Sequence, residues 1–195
     1  PHPLVSRAAV VALSLQRDRQ SLVLPLLSYL EGGDHEVAVT VTVLEAIAKN
    51  RPRGMLGRLL SFLAKEQPVE IRAAAVAALM ADEQINECLE LMGEVVVPEE
   101  AREVKYAVAR AVGDRARDVE IPEDARAQMV TLLERLIKDP DASVRAEAAS
   151  SLGDTGELLA LQILTDRSLV EADESVLEKL VGAVGALGFI ALFIL

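Results

Sequence analysis

Several residue types are scarce in this chain of 195 residues, and each scarcity excludes some chemistry. Cys88 is the single cysteine, so the chain can form neither an intramolecular disulfide nor a zinc site built from cysteines. The two histidines, His2 and His35, leave little for metal binding or acid–base catalysis. Tryptophan is absent, and aromatic residues make up only 3% of the chain.

Positive charge is also in deficit, with 20 Lys and Arg against 31 Asp and Glu and a net charge of −11. Affinity for nucleic acids comes largely from cations that displace counterions, so a nucleic-acid partner is not expected. The charge is uneven, because residues 1–65 carry a net +3 and the other 130 a net −14. This distribution favours charged proteins as partners.

Motifs for catalysis are missing as well. The chain has no Gly-rich phosphate loop after a strand and no GxSxG nucleophile turn, and none of its many carboxylates forms a distinctive pair. Cys88 falls on a predicted helix beside Leu89, where a buried structural thiol is expected. We therefore predict a protein that is not an enzyme and has no metal or other cofactor.

An internal repeat accounts for most of the chain. A β-branched anchor residue is followed by small or apolar residues at +4, +7 and +8, and the +7 residue is always Ala or Ser. The anchors are spaced by 34, 32, 33, 40 and 32 residues, and they are Val5, Val39, Ile71, Val104, Val144 and Val176.

These spacings place the four positions on one stripe of a helix. A small residue in the stripe lets a neighbouring helix approach closely. Breaks are predicted after the first helices at residues 50–52, 113–114, 153–156 and 185–188, because glycine or proline there ends a helix. A second apolar helix follows, as at residues 26–30 and 59–63. Each hairpin buries its apolar faces by stacking on its neighbours.

The register predicts a single array of units near 1–33, 34–65, 66–97, 98–138, 139–170 and 171–195, the last one truncated. The β-branched run 37–43 falls in register and is predicted to be helical against its local propensity. Helix starts are expected at residues 122–124 and 139–143. The longest spacing predicts an insertion at 114–121 that projects as a loop, in which the alternating charges of residues 114–118 pair with one another.

The pattern Asp, Val-Arg, Ala, Leu-Gly resembles the HEAT-repeat family, and among its members the short HEAT-like units of phycobilisome lyase proteins. The matching residues are Asp141, Val144, Arg145, Ala148, Leu152 and Gly153. The resemblance implies an all-α, right-handed solenoid of about six hairpins, with the second helices lining a concave side. Ser6, Thr40 and Leu177 replace the family's basic residue, so an Asp–Arg ladder between repeats is expected to be incomplete. The HEAT-like iron hydroxylases need several His-Glu pairs, and His35-Glu36 is a single one.

Two sets of charged residues are candidate partner-binding surfaces, and a merely solvated face is the alternative for each. An acidic stripe on the third unit's second helix would receive a basic segment, and a basic edge near the turns of units one and two would receive an anionic protein or lipid headgroup. The stripe consists of Glu83, Glu87, Glu90 and Glu94. The basic edge consists of Arg17, Arg19, Lys49, Arg51, Arg53 and Arg58.

The end of the sequence is apolar, with 16 uncharged residues at 180–195. The repeat register predicts a sixth hairpin cut off after its turn, whose exposed face could support self-association. A membrane stub is the alternative, although the run is shorter than the roughly 20 residues of a spanning helix.

These observations predict a cytoplasmic protein-interaction scaffold that binds its partner through the surface of the solenoid. The chain begins with proline and without a signal-like segment, so a fragment or a processed product is expected. Two alternatives stay open. One is a soluble regulatory domain of a larger membrane-associated or multidomain protein, and the other is a bilin lyase or chaperone-like HEAT protein.

Overall fold

The described part of the chain is helical throughout. The structure, a computed structural model, describes residues 22–33, 35–51, 53–118 and 120–194, with side chains up to residue 188. These residues form ten α-helices and no strand. The helices are α1 Val23–Glu31, α2 Val37–Lys49, α3 Leu56–Leu59, α4 Val69–Met80, α5 Ile85–Val95, α6 Arg102–Ala116, α7 Glu123–Leu136, α8 Ala142–Asp154, α9 Leu158–Ser168 and α10 Glu174–Ile194, with a 3-10 helix at Leu60–Leu63.

The chain divides into two compact units at a boundary within α5. The first unit ends at Cys88 and the second begins at Leu89. The first predicted repeat, with its anchor Val5, lies outside the described residues.

The predicted stripe is the buried face of the first helix in each described hairpin. In α2, the β-branched run is helical as predicted, and Val39, Val43, Ala46 and Ile47 are all buried. The corresponding residues of α4, α6, α8 and α10 are buried too, except that Ala111 and Val184 are half-buried. The predicted all-α repeat class is therefore confirmed.

In the first unit, α2 packs along α4, with α1 against α2 and the short α3 and the 3-10 helix against α4. Helix α2 ends where the sequence predicts. The buried Asn50 caps it and donates from Nδ2 to the Ala46 carbonyl at 2.6 Å. Arg51 then takes a positive φ of 49°, a conformation that stops a helix.

In the second unit, the first helices α6, α8 and α10 pack side by side in sequence order. The second helices α7 and α9 pack against them, α7 against α6 and α8 and α9 against α8 and α10. This serial packing within the unit is that of an α-solenoid.

The predicted break at 113–114 is wrong, because Gly113 lies inside α6. A Cβ at Gly113 would lie 2.7 Å from the Cβ of Ser151 and 3.0 Å from its Cα, so glycine is needed there for the close approach of α8. In the same way, a Cβ at Gly153 would lie 2.9 Å from the Cβ of Ala183 in α10. A glycine nine residues after one anchor thus faces the small +7 residue of the next repeat. The predicted break at 153–156 is confirmed at Gly156, whose φ is 71°.

The predicted turn at 185–188 is also wrong. Helix α10 continues from Glu174 to Ile194, so the predicted sixth hairpin is a single long helix over these residues. Nothing lies within 4 Å of a Cβ built at Gly182, Gly185 or Gly188. None of these glycines has the positive φ that ends a helix, so the helix continues through them. Among the described helices, none combines the length and the apolar character needed to cross a bilayer.

The insertion at 114–121 lengthens α6 to Ala116 before the chain leaves the helix, so only its later part is a loop. Its charges pair locally, as predicted. Arg115 pairs with Asp118, and Arg117 contacts Asp114 at 2.7 Å. Arg117 also reaches Asp154 on α8 at 2.7 Å, so the insertion is tied to the next repeat.

Helix α8 begins at a side-chain cap, as predicted, and α10 repeats the arrangement. Asp141 accepts from the backbone N–H groups of Ser143 and Val144 at 2.8 and 3.3 Å. Asp173 caps α10 in the same way, accepting from Ser175 and Val176 at 2.9 and 3.3 Å. Hydrogen bonds from Ser143 and Ser175 lower the pKa of Asp141 and of Asp173, respectively. Both aspartates therefore remain ionised and cap their helices.

Ion pairs connect the first helices α6 and α8 to the turns that precede α8 and α10. Lys105 Nζ lies 2.6 Å from Asp139 Oδ2, and both side chains are at most 8% exposed. Arg145 Nε and Nη2 donate to Glu171 at 2.8 and 3.0 Å. In both cases a base directly after one anchor pairs with an acid five residues before the next anchor. The two pairs form an ion-pair ladder at these positions. Lysine takes the place of arginine in the first pair, and glutamate takes the place of aspartate in the second.

Glu171 is the most heavily bonded carboxylate of the second unit among the described residues. It accepts from the Arg145 guanidinium, from Arg167 at 2.7 and 3.1 Å, and from the N–H groups of Ala172 and Asp173 at 3.1 Å. Its side chain is 3% exposed. These donors, Arg145 first, hold the pKa of Glu171 far below its usual range.

Gly113→Ala tests the close approach of α6 and α8. The added methyl group would overlap Ser151, and overpacking of this kind costs about 1–3 kcal/mol of unfolding free energy. Urea unfolding measures the loss. Gly182→Ala is the matched control, because its methyl group meets open space and alanine is favoured in a helix by up to about 1 kcal/mol. Equal stability of Gly113→Ala and the wild type would contradict this account of the interface.

Glu171→Gln tests the ladder through pH. At neutral pH the variant is expected to lose roughly 3 kcal/mol of stability, because two arginines lose their buried partner. The folded pKa of Glu171 is depressed, so its contribution is complete above the unfolded pKa of about 4.3 and disappears as the pH falls below it. Urea midpoints of wild type and variant should therefore converge in acid. A gap that is constant with pH would contradict this, and Glu178→Gln, at an exposed position of α10, is the control.

Candidate functional site

The acidic residues of α5 lie opposite its buried face. Ile85, Leu89 and Met92 are buried. Glu87, Glu90 and Glu94 are exposed. The amphipathic spacing predicted from the sequence is thus present along this helix, with its carboxylates on the solvent side.

Glu83, the first member of the predicted stripe, lies before α5 and has a different setting. Its carboxylate is 3.6 Å from Arg53 Nε, across a loop that the buried Asp82 holds in place. Asp82 accepts from the N–H of Met55 at 2.9 Å and from that of Gln84 at 3.1 Å. The stripe and the basic edge, predicted as separate surfaces, therefore meet in the first unit.

Arg58 of the basic edge is also paired. Its Nε and Nη2 donate to Glu31 at 2.8 and 2.5 Å. These hydrogen bonds lower the pKa of Glu31 and raise that of Arg58. Lys49 and Arg51 are exposed at the end of α2. The remaining members, Arg17 and Arg19, lie outside the described residues, and Arg53 and Arg58 already have carboxylate partners.

Cys88 and His35 each have a structural setting. The Cys88 thiol is fully buried, as predicted, and donates to the Leu79 carbonyl at 3.0 Å. His35 Nε2 lies 2.7 Å from the Tyr29 carbonyl, and its ring stacks on Tyr29 with centroids 4.2 Å apart. No group of three or more potential metal ligands occurs among the described residues.

A groove of about 300 Å³ runs between α5 and α7 within the second unit. Its floor is formed by Leu89 and Leu132, which are almost completely buried. The walls carry small side chains, since Gly93 lines one side and Ala127 and Thr131 line the other. Gln128 and Arg135 complete the lining. Most of the groove surface is therefore apolar.

Arg135 also lines this groove and contributes a positive charge to it. Its Nη1 donates to the Gly93 carbonyl at 3.1 Å, and its Nη2 donates to the Val96 carbonyl at 2.5 Å. Both carbonyls lie at the C-terminal end of α5, where a helix favours positive charge. The guanidinium thus links α7 to the end of α5.

Acidic residues stand close in sequence to residues that line the groove. Glu90 and Glu94 directly follow Leu89 and Gly93 and are exposed, and the exposed Asp124 lies one turn before Ala127 and Gln128. The second unit as a whole carries 21 acidic and 11 basic residues. Many of its bases are in ion pairs with carboxylates of the unit: Arg102, Lys105, Arg110, Arg115, Arg117, Lys138, Arg145 and Arg167.

Sequence reasoning identified the acidic helix but missed the groove. Its signal was weak, because Gly93 is one glycine in an amphipathic pattern and Ala127 is one exposed alanine. The ladder acids Asp139 and Glu171 were missed as well, although both stand five residues before an anchor. That shared register could have revealed them.

Comparison with known proteins agrees with the helical repeat. The sequence family described as HEAT repeats matches residues 89–185. No curated protein shows significant similarity to the chain. A crystal structure of a protein described as engineered is similar in fold, with a TM-score of 0.57 and 20% identity over 86% of this chain and 80% of that one. The family match thus covers the part of the chain that holds the groove, α6, α8 and the ion-pair ladder, and residues 89–185 are similar to HEAT repeats.

Proposed function

We propose that the protein is a non-catalytic, cytoplasmic interaction scaffold that binds a partner protein through the exposed faces of its second helices. The observation that carries the proposal is the acidic face of α5 in the second unit. Glu90 and Glu94 are exposed beside an apolar groove. Stacked helical repeats present extended surfaces of this kind to protein partners.

The basic edge is a weaker candidate for the partner surface. Arg53 and Arg58 are in ion pairs with Glu83 and Glu31, so an anionic partner would have to displace these carboxylates. Around α5 and α7, by contrast, carboxylates exceed the bases. The net charge therefore favours a basic partner.

The finer resemblance to phycobilisome lyase units supports a second, weaker proposal. It rests on the pattern from Asp141 to Gly153, and a repeat type does not carry an activity with it. An assay of bilin attachment to an acceptor protein tests it directly, since a scaffold would leave the pigment unattached.

Charge reversal tests the scaffold proposal. The double variant Glu90→Lys, Glu94→Lys is expected to lose its partner in a quantitative pulldown from the native cell, because it replaces attraction by repulsion at the surface. Recovery of the specific partners should fall about tenfold or more. Circular dichroism and the thermal midpoint establish that the variant is folded.

The matched control is Glu99→Lys, Glu178→Lys, which makes the same change in net charge at exposed positions elsewhere in the second unit. It should recover the partners as the wild type does. If both double variants lose the partners equally, total charge rather than this surface governs binding. If neither loses them, the acidic face of α5 is not the binding surface.

A further inference from the structure

We infer that the groove between α5 and α7 is a docking site for a basic segment of a partner protein, which inserts one or two large apolar side chains between the helices. This inference rests on the proposed function and adds the chemistry of the partner. The apolar groove receives the apolar side chains of the segment, and the carboxylates beside the groove attract its basic residues.

The size of the groove suits side chains better than a complete ligand. At about 300 Å³ it lies at the lower limit of ordinary ligand pockets. Its lining on α7 extends from Ala127 to Arg135, about 12 Å along the helix at 1.5 Å per residue. That length matches two side chains one helical turn apart on a docked helix.

Gly93 keeps the groove open at a cost to its own helix. Glycine within a helix is less stable than alanine by about 1 kcal/mol. Packing does not require it here, because the nearest atom to a Cβ at this position is Arg135 Nη1, at the ordinary contact distance of 3.8 Å. A larger side chain, however, would extend into the groove that Gly93 lines. The absence of a side chain at this position thus preserves the space.

Charge decides which occupant fits. Glu90 and Glu94 are exposed and directly follow the lining residues Leu89 and Gly93. These two carboxylates outnumber the single cation of the lining, Arg135, whose guanidinium donates to the carbonyls of Gly93 and Val96. A second copy of this unit is an unfavourable occupant, because each unit carries 21 acidic and 11 basic residues. Two units with the same excess of negative charge repel one another. A partner segment in which lysine or arginine flanks an apolar side chain complements both the carboxylates beside the groove and its apolar floor.

The test uses a short, lysine-rich, fluorescein-labelled peptide with two leucines one helical turn apart, titrated with the full chain in a fluorescence anisotropy assay. A second peptide has the leucines replaced by alanine and keeps the charge. The leucine peptide should bind about tenfold more tightly than the alanine peptide, because only its side chains fill the groove.

Ala127→Phe fills the groove without changing charge, and Ala186→Phe is its matched control at an exposed alanine of α10. Filling the groove should remove the tenfold advantage of the leucine peptide, whereas the control should retain it. Gly93→Leu is the second groove-filling variant, used if Ala127→Phe fails to fold. Glu90→Gln, Glu94→Gln should weaken both peptides and reduce their salt dependence, and Glu99→Gln, Glu178→Gln should not.

Equal binding of the two peptides, or an undiminished leucine advantage in both folded groove-filling variants, would overturn the inference. The scaffold proposal fails separately. If charge reversal at Glu90 and Glu94 removes the cellular partners while filling the groove changes nothing, the scaffold stands and the docking site falls. If charge reversal at these positions leaves the cellular partners bound, the scaffold proposal fails at this surface whatever the peptides do.

Discussion

The close approach of neighbouring first helices is the constraint on which the second unit depends. Gly113 against Ser151 and Gly153 against Ala183 leave no room for one more methyl group. Helices this close exclude water from the anchor stripe, so the charged groups at their edges are buried as well. That is why Lys105 and Glu171 need partners at hydrogen-bonding distance, since an uncompensated buried charge would cost several kcal/mol.

Packing of the first helices leaves the second helices to form the surface. In α5 and α7 the apolar residues Leu89 and Leu132 form a buried floor, and small side chains above them leave a groove. Arg135 joins the two helices through backbone carbonyls. Stability and the proposed recognition therefore use different residues within one repeat.

Much of the fold could be predicted from spacing alone. The stripe from Val39 to Ile47 and its equivalents are buried, and the β-branched run is helical because tertiary burial outweighs its local preference. The predicted breaks at Gly113 and Gly185 were wrong, because glycine was interpreted at both positions as the end of a helix. Glycine ends a helix only where the backbone turns left-handed, as at Gly156, and the sequence does not distinguish that use from close packing or open space.

The sequence by itself determined the helical repeat, its register, the acidic face of α5 and the cap of α8, because each depends on residues a few positions apart. The groove, the Lys105–Asp139 pair and the Arg145–Glu171 pair were decided only by tertiary structure. They join residues 26 to 42 positions apart, and such contacts depend on how closely whole helices pack. Helical periodicity specifies which face is buried, whereas side-chain volume at the interface specifies what that face meets.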